Sequence, residues 1–410
     1  MPPPSLRIDG QRLWSSLMEM AQIGATARGG VCRLALTDED KQARDLFVRW
    51  CREAGCEISI DQMGNIFARR AGSDSSRAPV MTGSHLDTQP TGGRFDGVLG
   101  VLAGLEVIRT LNDAQLATRA PVEVAVWTNE EGSRFAPAMV ASGVFAGAFD
   151  LDYGLSRRDA EGRSLGDELA RVGYAGERAA SGHAVGAFFE LHIEQGPVLE
   201  AAGKAIGVVT GAQGQRWYEA SVNGREAHAG TTPMAARSDA LLAAAEAVRA
   251  AHQIALRFAP ACATVGLLTV APNSRNTVPG NVFFSVDLRH PNEELLSEMD
   301  AALRLAFETI GVAHRVDISL RQIWHSPALR FDRSCQRAIR TAAERLGFSH
   351  HDIVSGAGHD ACYLNRIAPT GMVFIPCAGG ISHNEEEAAT PEHVEQGAAV
   401  LLHAMLEFAQ

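Results

Sequence analysis

Ala187-Phe188-Phe189-Glu190-Leu191-His192-Ile193-Glu194, running on into Gln195-Gly196, decides how the rest of the chain is read. Its aromatic and branched apolar residues predict a buried β-strand. A side-chain period of two puts Glu190, His192 and Glu194 on one face. Burying ionisable groups is costly unless they are paired or bind a metal, so a metal gives this strand its reason.

Downstream the pattern changes. From about Gln213 to His325 the chain predicts a strand at 216–223, an Ala-rich helix at 238–256, strands at 263–270 and 280–289, a helix at 291–310 and a strand at 314–323. That order, β-α-β-β-α-β, is the order of a ferredoxin-like sandwich. Upstream, Thr37-Asp38-Glu39-Asp40 opens a helix that stops at Gly55, and a helix at 97–111 follows directly after Asp96. Pro121–Trp127 alternates like a strand and delivers Glu130 and Glu131 at its C-terminal end. After the block come a helix at 333–346, a strand at 351–355, a Gly-rich turn, a strand at 371–375 and a helix at 391–408. The expected fold class is therefore α/β, a central mixed sheet flanked by helices, with an inserted ferredoxin-like α+β domain. A site that uses residues on both sides of the insertion requires a discontinuous first domain, 1–212 with 326–410, and 213–325 as the second.

Five residues make such a site. They are His85 in Gly83-Ser84-His85-Leu86-Asp87-Thr88, Asp96 in Arg94-Phe95-Asp96-Gly97, Glu131 in Asn129-Glu130-Glu131-Gly132, His192, and His383 in Gly380-Ile381-Ser382-His383. Three imidazoles and two carboxylates suit a borderline-soft divalent ion such as zinc. One carboxylate can bridge, allowing two ions about 3.5–4 Å apart, an arrangement that activates water. Taken singly, each residue has an ordinary reading: a turn, an N-cap at Asp96, a solvated acidic pair at Glu130-Glu131, hydrogen-bonded histidines elsewhere. Their joint placement in Gly-rich loops at strand ends favours the metal. Asp87, two residues from His85 on an extended segment, is expected to accept the second ring N–H of His85 through its carboxylate and so fix the tautomer.

Composition narrows the class. At 410 residues two domains are the natural expectation. Hydrophobic residues at 46% and charged residues at 21% are ordinary for a globular protein. A net charge of −11 offers nothing to nucleic acid or an anionic membrane surface. Seven scattered cysteines without a CxxC pair read as reduced thiols of a cytoplasmic protein. Met1–Arg7 shows no secretion signal, and no apolar run approaches the roughly 20 residues a bilayer requires.

The motifs GSHLDT, GGRFDGVLGV, NEEGSRF, ELHIEQGP, EAHAGTTPM and ISHNEEE resemble those of the dinuclear-zinc amidohydrolases related to aminoacylases, from about residue 10 to the C-terminus. Within that group they are most similar to the carbamoylase branch: N-carbamoyl-L-amino-acid hydrolases, β-ureidopropionases and allantoate amidohydrolases. The resemblance implies His85, Asp96 and His192 on one ion, with Asp96, Glu131 and His383 on the other. It implies Glu130 as the general base on the bridging water, and zinc as the metal, with manganese, cobalt or nickel tolerated. It also implies a homodimer in which the inserted domain is lid and dimerisation element, and His228 reaches a partner's active site to hydrogen-bond the tetrahedral intermediate. Asn276 and Arg289 would hold the substrate carboxylate, an arginine fork matching a carboxylate in bidentate fashion. Gln195 would read the terminal ureido nitrogen. Gln215 and Arg216 resemble a further contact of the allantoate branch, and Gly356 and Ala357 would offer backbone N–H groups.

The activity so implied is hydrolysis of the carbamoyl group of an N-carbamoyl-L-amino acid, with allantoate hydrolysis as the nearest rival. A dinuclear aminopeptidase or dipeptidase would need a group for a free α-amine, whereas Gln195 and Arg289 suit an amide and an acid. A non-catalytic binding protein would have no use for an intact Glu130.

Overall fold

The computed structural model describes residues 6–410; the Pro-rich start at 1–5, on which the reading of a missing secretion signal largely rests, lies outside the described residues. The chain divides into two compact units, one built from residues up to Thr210 with Phe331–Gln410, the other from Gly211–Arg330.

The first unit contains a mixed sheet. Its strands run in the order Glu57–Ile60, Ile66–Arg70, Val122–Trp127, Val80–His85, Ala187–Ile193, Thr370–Ile375 and Ile206–Ala212, with His350–Ser355 also paired to Ile206–Ala212. The four strands from Val122–Trp127 to Thr370–Ile375 are mutually parallel, and their neighbours on either side are antiparallel. Every residue in those four strands is buried. Parallel strands covered by helices on both faces read as continuous apolar runs, which Gly371–Ile375 does and Val122–Trp127 does apart from the buried Glu123. Val98–Asp113 and Pro391–Ala409 pack on this sheet and on each other. Val98–Asp113 is buried almost all round, and its one buried acid, Glu106, receives a bidentate fork from Arg12 at 2.7 and 3.0 Å.

Register then aligns the strand ends. His85 stands opposite Trp127, and His192 opposite Phe374. Parallel strands share the direction of their C-terminal ends, so the loops that follow them gather along one edge, where open α/β sheets place ligands.

One residue of the decisive strand leaves its expected face. The strand ends at Ile193, and Glu194 accepts the N–H groups of Val198 and Leu199 at 2.7 Å each. The first N–H groups of a helix lack intrahelical acceptors, and Glu194 supplies them for Val198–Ala202.

The second unit is a five-stranded antiparallel sheet in the order Leu268–Ala271, Asn281–His290, Gly214–Asn223 and Asp317–Ser326, with Cys262–Thr264 also paired to Asn281–His290. Ala240–Arg257 and Glu293–His314 cover one face and close a separate apolar core around Phe284 and Phe307. Three elements differ most from the sequence reading. The strand expected at 263–270 is broken into two pieces. The second helix starts later and runs longer, because the Asn292 side chain accepts the N–H groups of Glu294 and Leu295 and the helix ends at a left-handed Arg315. The last strand therefore begins at Asp317, not at 314. Among the described residues, no helix is long and apolar enough to cross a membrane.

Candidate metal centre

Two triads converge at the C-terminal edge of the first unit's sheet. His85, Asp96 and His192 each bring one ligand atom within 4.8 Å of the others, and so do Asp96, Glu131 and His383. Asp96 is common to both. Its Oδ1 lies 3.1 Å from Nε2 of His192 and 3.7 Å from Nε2 of His85. Its Oδ2 lies 3.4 Å from Nε2 of His383, which is also 3.4 Å from Glu131. All five residues singled out from the sequence are thus brought together.

Local backbone geometry sets these directions. Gly97, at φ 69° and ψ −51°, is the centre of a γ-turn in which the Val98 N–H reaches the Asp96 carbonyl at 2.7 Å. This turn places Asp96 at the mouth of the Val98–Asp113 helix. A side chain at 97 is excluded, since an added Cβ would lie 2.4 Å from the His85 ring. The imidazoles are fixed from behind. Nδ1 of His85 is 2.8 Å from the Asp87 carbonyl, and Nδ1 of His192 is 2.9 Å from the Ile193 carbonyl. Carbonyl oxygens only accept, so each Nδ1 carries a proton, and whenever the ring is neutral its Nε2 is the atom that presents a lone pair.

Asp87 therefore supports His85 through its backbone carbonyl, not through its carboxylate as the spacing suggested. The carboxylate instead accepts the N–H groups of Glu130 and Glu131 at 3.2 and 3.3 Å, which orients the acidic pair. Side chains two apart on a strand share a face only while the strand continues, and this strand ends at His85.

Electrostatics shows what the site can accept. Burial pushes His85 down to about 4, so it is neutral. Burial, then Asp360 and Glu131, push Glu130 well above the usual carboxylate range, and burial with Asp96 does the same for Glu131. Burial opposes charge on His192, yet its hydrogen bond to Asp96 outweighs this and holds it up to about 9. Three buried carboxylates against so few cations form a set that divalent cations complete, with donors, distances and tautomers that fit them.

Around these groups stand further residues, of which Gln89, Ser382 and Glu387 had no role in the sequence reading. Gln89 donates to Glu131 at 2.8 Å. Ser382 lies 3.1 Å from both Asp96 and Glu387, and Glu387 accepts the N–H groups of Phe95 and Asp96. Burial, then Asp96, raise Glu387 to about 7. Glu190, with Ser84 and the Ala361 N–H as donors, lies with His192 and His359 in a third cluster behind the first. Gln195 donates to Asp96 at 3.0 Å and to Ser382 at 3.1 Å, so its amide nitrogen already serves the carboxylate common to both triads. The Ala357 N–H is engaged by Ser355 Oγ at 3.1 Å, and that hydroxyl lies 2.9 Å from His359. Gly356 sits in the same turn.

The remaining candidates belong to the second unit. His228 is exposed, and its Nδ1 accepts the N–H groups of Gly230 and Thr231 at 3.0 and 3.2 Å. That turn leaves the proton on Nε2, making His228 a hydrogen-bond donor. Thr277 pairs with His228 in a short ribbon, and the Asn276 carbonyl accepts the Ala229 N–H, so the two motifs are neighbours. Arg289 stands opposite Gln215 on adjacent strands and pairs with Asp287 at 2.8 Å. Arg216 is tied to Glu293 at 2.7 Å and lies 3.8 Å from Asp300, a structural use of its charge within this unit.

Comparison with known proteins agrees with this chemistry. The profile of Peptidase family M20/M25/M40 matches residues 81–407. The chain is 49% identical to an N-carbamoyl-L-amino-acid amidohydrolase of Rhizobium meliloti, over 100% of this chain and 99% of the relative. It is 34% identical to an allantoate amidohydrolase of Bacillus subtilis, over 95% of each chain. A crystal structure of an amidase of the hydantoinase/carbamoylase family from Burkholderia multivorans superposes with a TM-score of 0.96 at 62% identity, covering 99% of both chains. The chain belongs to Peptidase family M20/M25/M40, on its hydantoinase/carbamoylase branch.

Proposed function

We propose that this protein hydrolyses the carbamoyl C–N bond of an N-carbamoyl-L-amino acid or a close ureido acid, giving the amino acid, ammonia and carbon dioxide. The observation that carries the reading is Glu130. It belongs to neither ligand triad, is buried beside both, lies 3.6 Å from His85, and has its N–H held by Asp87. A carboxylate pushed upward by burial is suited to take a proton from water and return it to a leaving nitrogen. Two divalent cations, zinc by preference and manganese, cobalt or nickel as substitutes, would be held by the two triads and would supply an acidified water and stabilise the developing oxyanion. The proton taken by Glu130 passes to the nitrogen as the C–N bond breaks, and the carbamate left behind decomposes to ammonia and carbon dioxide.

In this reading the second unit is a lid and dimerisation element of a cytoplasmic homodimer. His228, an Nε2–H donor, serves the oxyanion in the partner subunit, while Asn276 and Arg289 hold the substrate carboxylate, with Gln195, Gln215, Arg216, Gly356 and Ala357 around it. The high identity to a protein named N-carbamoyl-L-amino-acid amidohydrolase places that substrate ahead of allantoate. Ammonia release from a panel of N-carbamoyl-L-amino acids and from allantoate, with metal-depleted protein reloaded one cation at a time, tests this. Faster turnover of allantoate reverses the order, and no release from any ureido acid removes the reading.

A further inference from the structure

We propose that Glu387 and Ser382 form a positioning pair that keeps one lone pair of the bridging carboxylate free for a cation. The inference rests on the reading of the two triads as a two-cation site. Glu387 is 1% exposed and lies 291 residues from Asp96 in sequence. Its Oε1 accepts the N–H groups of Phe95 and Asp96 at 2.9 and 3.1 Å, so that oxygen is committed to the Asp96 turn. Its Oε2 faces the hydroxyl of Ser382, the residue before His383, at 3.1 Å. The same hydroxyl lies 3.1 Å from Oδ2 of Asp96.

A serine has one hydroxyl hydrogen, and two carboxylates compete for it. Asp96 Oδ2 has two lone pairs, and one already receives the Gln195 amide at 3.0 Å. If Ser382 donates to Asp96, both are taken. If it donates to Glu387, one remains and faces His383 and Glu131. Glu387 thus draws the hydrogen away from the bridging oxygen and anchors the turn carrying Asp96 to the loop carrying His383. It acts through Asp96 and Ser382, not by touching substrate.

Glu387→Gln separates this from a merely structural role. Glutamine must keep its carbonyl on the Phe95 and Asp96 N–H groups, so its NH2 faces Ser382 and makes that oxygen an acceptor. The single hydroxyl hydrogen is then committed to Asp96 Oδ2. Zinc titrated at pH 8 into the metal-stripped full chain should bind the wild type at two sites. In Glu387→Gln the affinity of one of them, the Asp96/Glu131/His383 site, should fall by about tenfold to a hundredfold, the range for groups that support metal ligands. The other should stay within about threefold. Ser382→Ala added to Glu387→Gln removes the competing hydrogen and should return the weakened site to within about threefold of wild type. Two unchanged affinities in Glu387→Gln would overturn the proposal, as would an equal loss at both sites or a loss that Ser382→Ala fails to rescue. A wild type that binds one zinc per chain would overturn the two-cation reading itself.

Discussion

Gly97→Ala tests whether the backbone turn between Asp96 and Val98 governs the metal centre. The added methyl would sit 2.4 Å from Cε1 and Nε2 of His85 and 2.5 Å from Nδ1. Carbon atoms rest about 3.5–4.0 Å apart, so the ring must retreat by roughly 1 Å. A displacement of about 1 Å at a reacting centre costs on the order of 100-fold in rate, or about 2.7 kcal/mol of transition-state stabilisation. A second cost is conformational, since φ 69° with ψ −51° is strained by about 1–3 kcal/mol for any residue with a side chain. Gly147 separates the two costs. It has the same φ of 69° but nothing within 4 Å of an added Cβ. Gly147→Ala should therefore lower the thermal midpoint while leaving zinc affinity and kcat/KM within about twofold of wild type. Gly97→Ala should lower the midpoint, weaken zinc binding at the His85 site by about tenfold or more, and reduce kcat/KM for ammonia release by about 100-fold. If Gly97→Ala proves as active as Gly147→Ala, the tight approach of this turn to His85 does not set the site's geometry.

Glu130→Gln should retain both cations and lose about 10²–10⁴ in kcat, the usual contribution of a positioned general base, and loss of metal alongside activity would instead make Glu130 a ligand. Asp87→Asn exchanges one acceptor oxygen for a donor facing a backbone N–H of the Glu130-Glu131 pair; zinc affinity measured by chelator competition should fall about tenfold to a hundredfold, and an unchanged value would show that the pair holds itself. Removing the cations should abolish turnover reversibly and lower the thermal midpoint, since a ligand at 100 times its Kd stabilises the folded state by about 2.7 kcal/mol per site. A midpoint insensitive to chelator would contradict a folded-state site.

The elements that carry the ligands were legible because their signals are local. The period-two apolar run at Ala187–Ile193 and the Gly-bounded helix after Asp96 each depend on neighbours a few residues away, as does the N-cap at Thr37 elsewhere in the unit. Glu194 escaped, since whether the strand continues past Ile193 depends on a helix start that needs an acceptor. Asp87 was given the right residue and the wrong atom. Sequence spacing indicates which way a side chain projects but not which of its groups faces inward once the strand stops. Glu387 was hidden in the run Glu385-Glu386-Glu387, where nothing in the sequence distinguishes the fully buried acid from its half-buried and exposed neighbours.

By itself the amino-acid sequence indicated the candidate donors, their place in loops at strand ends, and the interruption of one unit by another, because residue type and hydrophobic period are short-range properties. The tertiary structure alone decided that Asp96 turns one oxygen toward each triad, that His85 leans on a carbonyl, and that Ser382 stands between two carboxylates. Those facts depend on groups such as the side chains of Ser382 and Asp96, 286 residues apart, meeting at hydrogen-bond distance, a relation that only packing creates.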